Sequence, residues 1–195
     1  MTDKNLNDFS DEELILEFQQ HNTVEAFEIL VKRYKNPLTN YVFRFVGDIE
    51  TSSDIVQETM VKVFRNKDSY KSIAKFSTWI YTIAGNLAKT ELQRRKRRNL
   101  FSISSYGEDN DTFDIPDEQY RPDRITDSGI KDEIIQKALL KVSDAYREMV
   151  ILRDIQELSY EEIAEITGIT VGTVKSRINR GRAQLQKLLK DIYKE

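Results

Sequence analysis

Between residues 27 and 45, Phe27, Leu30, Val31, Tyr34, Leu38, Tyr41, Val42 and Phe45 keep to the three- and four-residue spacing of one helical face. That period fits a long amphipathic helix and does not fit a strand, whose faces alternate every two residues. Pro37 lies inside the run and removes one backbone donor, so a kink or a break is expected there, and Gly47 closes the segment. A helix of this length needs helical partners to bury its apolar face, and the rest of the chain supplies them. Ser10 and Glu13 have capping-box spacing ahead of Leu14, Ile15 and Phe18. Thr51 with Asp54 offers a cap for the stripe Ile55, Val56, Met60, Val63 and Phe64. A third run starts near Ser77, carries Trp79, Ile80, Ile83 and Leu87, and passes through Gly85 and Asn86. Seven Gly and three Pro in 195 residues are few turn-formers for a β-rich chain. The fold class expected is all-α.

The helical pattern dissolves from about Leu100 to Ser128, a stretch of Ser, Asp, Gly107, Pro116 and Pro122 without a period. It is too long for an ordinary loop and predicts a flexible tether between two small helical domains. The boundaries expected are 10–98 for the first domain, 99–128 for the linker and 129–195 for the second domain. In the second, Ile134, Ile135, Ala138, Leu139 and Val142 predict a short helix, and Ser143 caps the next, through Tyr146, Val150 and Ile151. Ser159 and Glu162 form another capping box, Gly168 ends that helix, and Thr170 caps the last.

Charge sorts the functional classes. The net charge of −3 argues against a polyanion binder, but the charges are segregated. Residues 94–98 are five consecutive cations, the linker carries eight acids against Arg121 and Arg124, and 168–190 holds six Lys or Arg and no acid. Two basic surfaces separated by an acidic tether suit a partner rich in phosphate. Cysteine is absent and His21 is the only histidine, so thiolate or histidine metal sites and disulfides are excluded. No Asp/Glu/His group has metal or acid–base spacing, which disfavours an enzyme acting on nucleic acid. The polar start at 1–7 shows no leader pattern and no apolar run spans a bilayer, so a cytoplasmic chain without membrane insertion, cofactor or metal is expected.

Two short helices joined by Glu165-Ile166-Thr167-Gly168-Ile169-Thr170 have the form of a helix-turn-helix. On a helical wheel, Val171, Val174, Ile178, Leu185 and Leu188 share one side. Thr173, Lys175, Ser176, Asn179 and Arg180 lie opposite, with Arg177 and Arg182 on the flanks. The second face is cationic and hydrogen-bonding, as a helix reading base edges in a major groove must be. The 94–98 run extends a helix bearing Trp79, Tyr81 and Asn86; aromatics and amides beside cations suit single-stranded nucleic acid, although Trp79 and Tyr81 by themselves are core-type residues.

Three strings resemble one family, the extracytoplasmic-function RNA polymerase sigma factors of the sigma-70 type. DIVQETMVKVF at 54–64 resembles the segment that grips core polymerase. KFSTWIYTIAGNLAKTELQRRKRR at 75–98 resembles the promoter-melting, minus-10-reading segment. LSYEEIAEITGITVGTVKSRINRGRAQLQKLL at 158–189 resembles the minus-35 reader. The resemblance implies that Asp54, Gln57 and Glu58 contact the polymerase clamp helices. It implies that Asn86, in a loop after the Trp79 helix, holds a flipped minus-10 base, with Lys89, Arg94, Arg95, Arg97 and Arg98 along the DNA. It places Thr173, Lys175, Ser176, Arg177, Asn179, Arg180 and Arg182 at the minus-35 groove. Core RNA polymerase, promoter DNA and an anti-sigma factor are the partners implied. His21-Asn22 departs from the Gly-Asp common in relatives. A stand-alone helix-turn-helix regulator is the alternative; it accounts for 158–189 and leaves 54–98 without a role.

Overall fold

The computed structural model describes residues 5–105 and 127–192, and among these every regular element is a helix. Helix α1 spans Asp11–His21, α2 Val24–Val46, α3 Ile49–Arg65 and α4 Phe76–Ser105. Helix α5 spans Asp127–Lys141, α6 Asp144–Val150, α7 Tyr160–Thr167 and α8 Val171–Ile192, with a π-helical turn at Ile151–Ile155 running on from α6. Residues 106–126, most of the expected linker, lie outside the described residues. Helix α4 continues to Ser105 and α5 begins at Asp127, so each reaches into the range expected for the linker.

Local signals set most helix starts. Both capping boxes form: Ser10 accepts from the Glu13 amide at 3.2 Å and Glu13 returns to the Ser10 amide at 2.8 Å. Ser159 and Glu162 repeat this at 3.1 and 2.8 Å. The proposed Thr51–Asp54 cap is corrected. Asp48 caps α3, accepting from the Thr51 amide at 2.8 Å, so the helix starts earlier and Asp54 stands in its body. Asp48 follows Gly47, whose φ of 84° turns the chain out of α2 and leaves Asp48 free to cap. Ser143 is the N-cap residue of α6 but makes no side-chain cap bond. Helix α2 passes through Pro37 without a break, because its next turn is fixed by the fully buried Leu38, Tyr41 and Val42.

The core is continuous across the two halves. Leu14, Phe18, Leu30, Leu38, Phe45, Phe76 and Ile80 of the first half join one apolar cluster with Leu139, Met149, Ile151, Leu152, Ile163 and Ile178 of the second. The sequence predicts two tethered bodies; the structure packs α5, α6 and α7 onto α2 and α4. Arg147 of α6 is 5% exposed and donates to the Phe45 carbonyl at 2.9 Å, where the unpaired carbonyls at the end of α2 favour a cation. Gln136 of α5 donates to the Phe43 carbonyl at 3.2 Å, and Leu140 lies directly over Gly47.

Candidate nucleic-acid and polymerase interfaces

Three surfaces carry the residues singled out by sequence. On α3, Asp54, Gln57 and Glu58 are exposed while Ile55, Val56, Thr59 and Val63 are buried, so the helix presents a clean acidic-amide face. Val61 and Phe64 extend that face with exposed apolar surface, at 46% and 45% exposure.

On α4 the expected loop at Asn86 is corrected. The helix is unbroken through Gly85 and Asn86, and Asn86 is an exposed residue in its middle. Gly85 sits where another chain segment comes close, which leaves no room for a side chain: a Cβ there would lie 2.8 Å from the Tyr41 hydroxyl. Trp79 is half-buried against Tyr70 and Phe76, and Tyr81 is buried, its hydroxyl donating to Gln156 at 2.7 Å. Both are core residues, not free stacking platforms.

The basic run is organised by an acid that sequence reasoning passed over. Glu91 accepts from Arg94 at 2.9 Å and Arg95 at 3.0 Å and lies 3.8 Å from Arg98. The spacing of three, four and seven residues was legible in the sequence. Burial raises the Glu91 carboxyl, but the Arg95 and Arg94 guanidinium groups outweigh it and hold that carboxyl below the usual carboxylate range. Arg95 also reaches Thr51 at 2.5 Å and Asp48 at 3.6 Å, tying α4 to the start of α3. Arg95 is therefore a bracket between helices, whereas Arg94, Arg97 and Arg98 are exposed.

Lys89 is engaged across the molecule. Its ammonium lies 2.9 Å from Glu148 of α6, which is 5% exposed and also accepts from the Tyr41 hydroxyl at 3.3 Å. Burial pushes the Glu148 carboxyl above its ordinary range, and Lys89, Tyr41 and Arg177 act in the opposite direction. Lys75 pairs with Glu162 at 2.8 Å and Lys96 with Asp144 at 2.6 Å, each again across the two halves. Lys75 was not among the expected site residues, whereas Lys96 belongs to the 94–98 run expected along DNA.

The helix-turn-helix closes as its sequence indicates. Gly168 ends α7 with a φ of 69°, and Thr170 accepts from the Thr173 amide at 3.3 Å at the start of α8. Val174 and Ile178 are buried; Lys175, Ser176, Asn179 and Arg180 are exposed. Thr173 bonds to Thr170 at 2.9 Å and Ser176 donates to the Thr173 carbonyl at 2.9 Å, so both hydroxyls have local partners. Lys175 sits 5.5 Å from the Tyr160 ring. Arg177 is half-buried, and Arg182 forms a two-point ion pair with Asp154 at 2.5 and 3.0 Å. The structure thus groups Lys175, Asn179 and Arg180 on an open face and engages Arg182 within its own half. Gly181 lets α8 close on α6: a Cβ there would stand 2.6 Å from Val150.

Among the described residues, no group of three or more His, Cys, Asp or Glu could hold a metal ion. None of the described helices is long and apolar enough to cross a membrane.

An exposed acidic helix, a cation-rich helix and a helix-turn-helix in that chain order suit a helical protein of the DNA-binding class. Comparison with known proteins agrees. Residues 30–98 match the family model for sigma-70 region 2, and residues 132–185 match that for sigma-70, region 4. The ECF RNA polymerase sigma factor SigW of Bacillus subtilis is 36% identical over 170 residues, covering 86% of this chain and 91% of that protein. The RNA polymerase sigma-H factor of Pseudomonas aeruginosa is 32% identical over 188 residues, covering 93% and 95%. Among solved structures, the sigma factor RpoE in complex with the anti-sigma factor NepR from Bartonella quintana aligns with a TM-score of 0.66 at 26% identity, covering 84% of this chain and 96% of that one. CnrH, in complex with the cytosolic domain of CnrY, shares the fold at a TM-score of 0.69 and 22% identity over 93% of this chain and 97% of that one. The chain belongs to the extracytoplasmic-function RNA polymerase sigma factors, and so serves promoter-specific transcription initiation with RNA polymerase. The match to region 2 removes the reason for a stand-alone regulator, since it gives α2 to α4 a role of their own.

Proposed function

We propose a division of that work among the named surfaces. The unit 10–98 binds core polymerase through Asp54, Gln57 and Glu58 on α3, and reads and opens the minus-10 element through Asn86, Lys89 and the exposed arginines of α4. The unit 129–195 reads the minus-35 element through Lys175, Ser176, Asn179 and Arg180 at the start of α8, with 99–128 as the connection. The observation that carries this reading is the exposure of polar residues on α3 and α8 beside fully buried apolar ones on the same helices. Such a face is positioned by its own helix and open to a partner. Core polymerase sets the distance between the two DNA elements. Melting draws on binding: capture of a flipped base offsets an unstacking cost of a few kcal/mol. The chain performs no covalent catalysis and works in the cytoplasm, and the complex of the similar sigma factor RpoE with the anti-sigma factor NepR supports an anti-sigma factor as its regulator.

The test is a triple substitution, Asp54→Ala, Gln57→Ala and Glu58→Ala. These side chains are exposed, so the fold and its helix content stay intact. Affinity for core polymerase should fall by at least about tenfold, equivalent to about 1.4 kcal/mol. Unchanged affinity would remove α3 from the polymerase interface.

A further inference from the structure

An acid inside a run of cations should weaken a polyanion's hold on that run. Glu91 is such an acid, and its side chain is only 14% exposed. Its two carboxylate oxygens are shared between two arginines. One lies 2.9 Å from Arg94 Nε, and the other accepts from Arg95 Nε at 3.0 Å. Arg98 stands 3.8 Å from the second oxygen. The two close partners are then used differently. The Arg95 fork continues to Thr51 at 2.5 Å and Asp48 at 3.6 Å, so it is engaged within the protein on both sides. Arg94 is held by its inner Nε alone, its side chain is 63% exposed, and it has no other partner among the described residues. Its outer amino groups are therefore open to a ligand. Arg98, one helical turn further on and on the same face, is 65% exposed. Arg97 is exposed and makes no bond to Glu91.

We propose that Glu91 is a positioning residue for DNA: a carboxylate that holds Arg94, and with it Arg98, in the orientation in which they meet the phosphates of the promoter. The proposal rests on the reading of α4 as the minus-10 helix and adds to it a residue of the opposite charge. A free arginine has many rotamers, and a phosphate that binds it must first order it. An arginine whose inner edge is already held keeps its outer edge in one orientation, suited to two parallel bonds to a phosphate. The carboxylate is itself fixed, because Arg95 shares it and is anchored to Asp48 and Thr51 at the start of α3. The chain of bonds Asp48–Arg95–Glu91–Arg94 thus carries the position of α3 out to an exposed guanidinium. The repulsion that Glu91 adds is small by comparison. It lies on the inner side of Arg94, whereas a phosphate binds beyond the guanidinium, in water and salt.

The test uses holoenzyme assembled from the full-length chain and core RNA polymerase, on a duplex promoter fragment from which it initiates. Glu91→Gln keeps the volume and one accepting oxygen, and turns the other into a donor. It should weaken promoter binding by about threefold to tenfold, the span of one impaired charge-assisted contact. It should also flatten the dependence of affinity on salt by up to about 1 in slope, as the loss of a phosphate contact does. An acid that only repels DNA gives the opposite sign, so equal or tighter binding by Glu91→Gln overturns the proposal. A double-mutant cycle separates positioning from damage to the fold. In a chain that already carries Arg94→Ala and Arg98→Ala, Glu91→Gln should cost nothing further. In one that carries Arg97→Ala, it should cost as much as it does alone. A full further loss in the first background makes Glu91 a structural residue only and overturns the positioning. If Arg94→Ala and Arg98→Ala themselves change neither affinity nor slope, the assignment of the basic run to DNA fails, and the proposal falls with it. If they weaken binding and Glu91→Gln does not, the reading of α4 stands and the positioning alone is defeated.

Discussion

Helices α4 and α8 both carry clustered cations, yet they present them differently. On α8, Lys175, Asn179 and Arg180 face outward at the start of the helix, held from behind by the buried Val174 and Ile178. On α4, Lys75, Lys89 and Lys96 are paired with acids from the other half of the molecule, and Glu91 gathers three arginines. On α8 none of these three side chains is held by an acid, and Arg180 donates only to the Tyr146 hydroxyl, at 3.4 Å. On the other, the lysines are paired with carboxylates of the second half. The same residue type at a helix surface is thus a ready contact or a restrained one, according to whether an acid reaches it.

The sharpest break of that contrast is at α8. A base contact of the kind expected of Arg180 is worth about 1–3 kcal/mol. Arg180→Ala should therefore lower transcription from the cognate promoter about tenfold or more, with stability changed by no more than about 0.5 kcal/mol, because its side chain is exposed and its one hydrogen bond, to the Tyr146 hydroxyl, is long at 3.4 Å. Unchanged initiation would take Arg180 out of the groove. On α4 the corresponding change acts on the protein itself. Glu148→Ala deletes a buried carboxylate and leaves the Tyr41 hydroxyl and Lys89 without it, at a cost of about 2 kcal/mol in chemical denaturation. A midpoint equal to that of the unmodified chain would show that the pair contributes nothing to closure.

Smaller effects sharpen the distinction within the basic run. Arg95→Ala should cost about 1 kcal/mol of stability, since it removes the links to Glu91, Thr51 and Asp48. Arg97→Ala should stay within about 0.5 kcal/mol, as exposed substitutions do. Equal melting temperatures for the two would abolish the distinction between bracket and free cation. The smallest signal is the acid limb of the stability curve. Lys75 and the Ser159 cap hold the Glu162 carboxyl down at about 2, below its unfolded value. Its contribution is therefore present above the ordinary carboxylate range and is lost as pH falls toward 2. Glu162→Gln should flatten that limb in pH-dependent melting, and an unchanged limb would contradict the pairing with Lys75.

What the sequence disclosed tracks the range of each interaction. The two capping boxes close within three residues, and the groove face of α8 is set by its own period, so both were legible. The start of α3 was misplaced because Asp48 and Thr51 form as good a local signal as Thr51 and Asp54. Asn86 was given a loop because Gly85 suggests a break; the glycine instead makes room for the Tyr41 hydroxyl, which lies far away in the chain. Closure of the two halves was invisible for the same reason: Tyr41 and Glu148 are 107 residues apart, and nothing near either one announces the other. The pairing of Lys75, Lys89 and Lys96 likewise depended on knowing which acids face them.

The most direct test of the central claim is transcription from a genomic promoter library with the purified chain and core RNA polymerase freed of other sigma factors. Initiation at sites that share two spaced elements, absent from core polymerase alone, is the result expected. No initiation, together with tight binding of the chain alone to duplex DNA, would contradict it and leave a free-standing DNA-binding regulator.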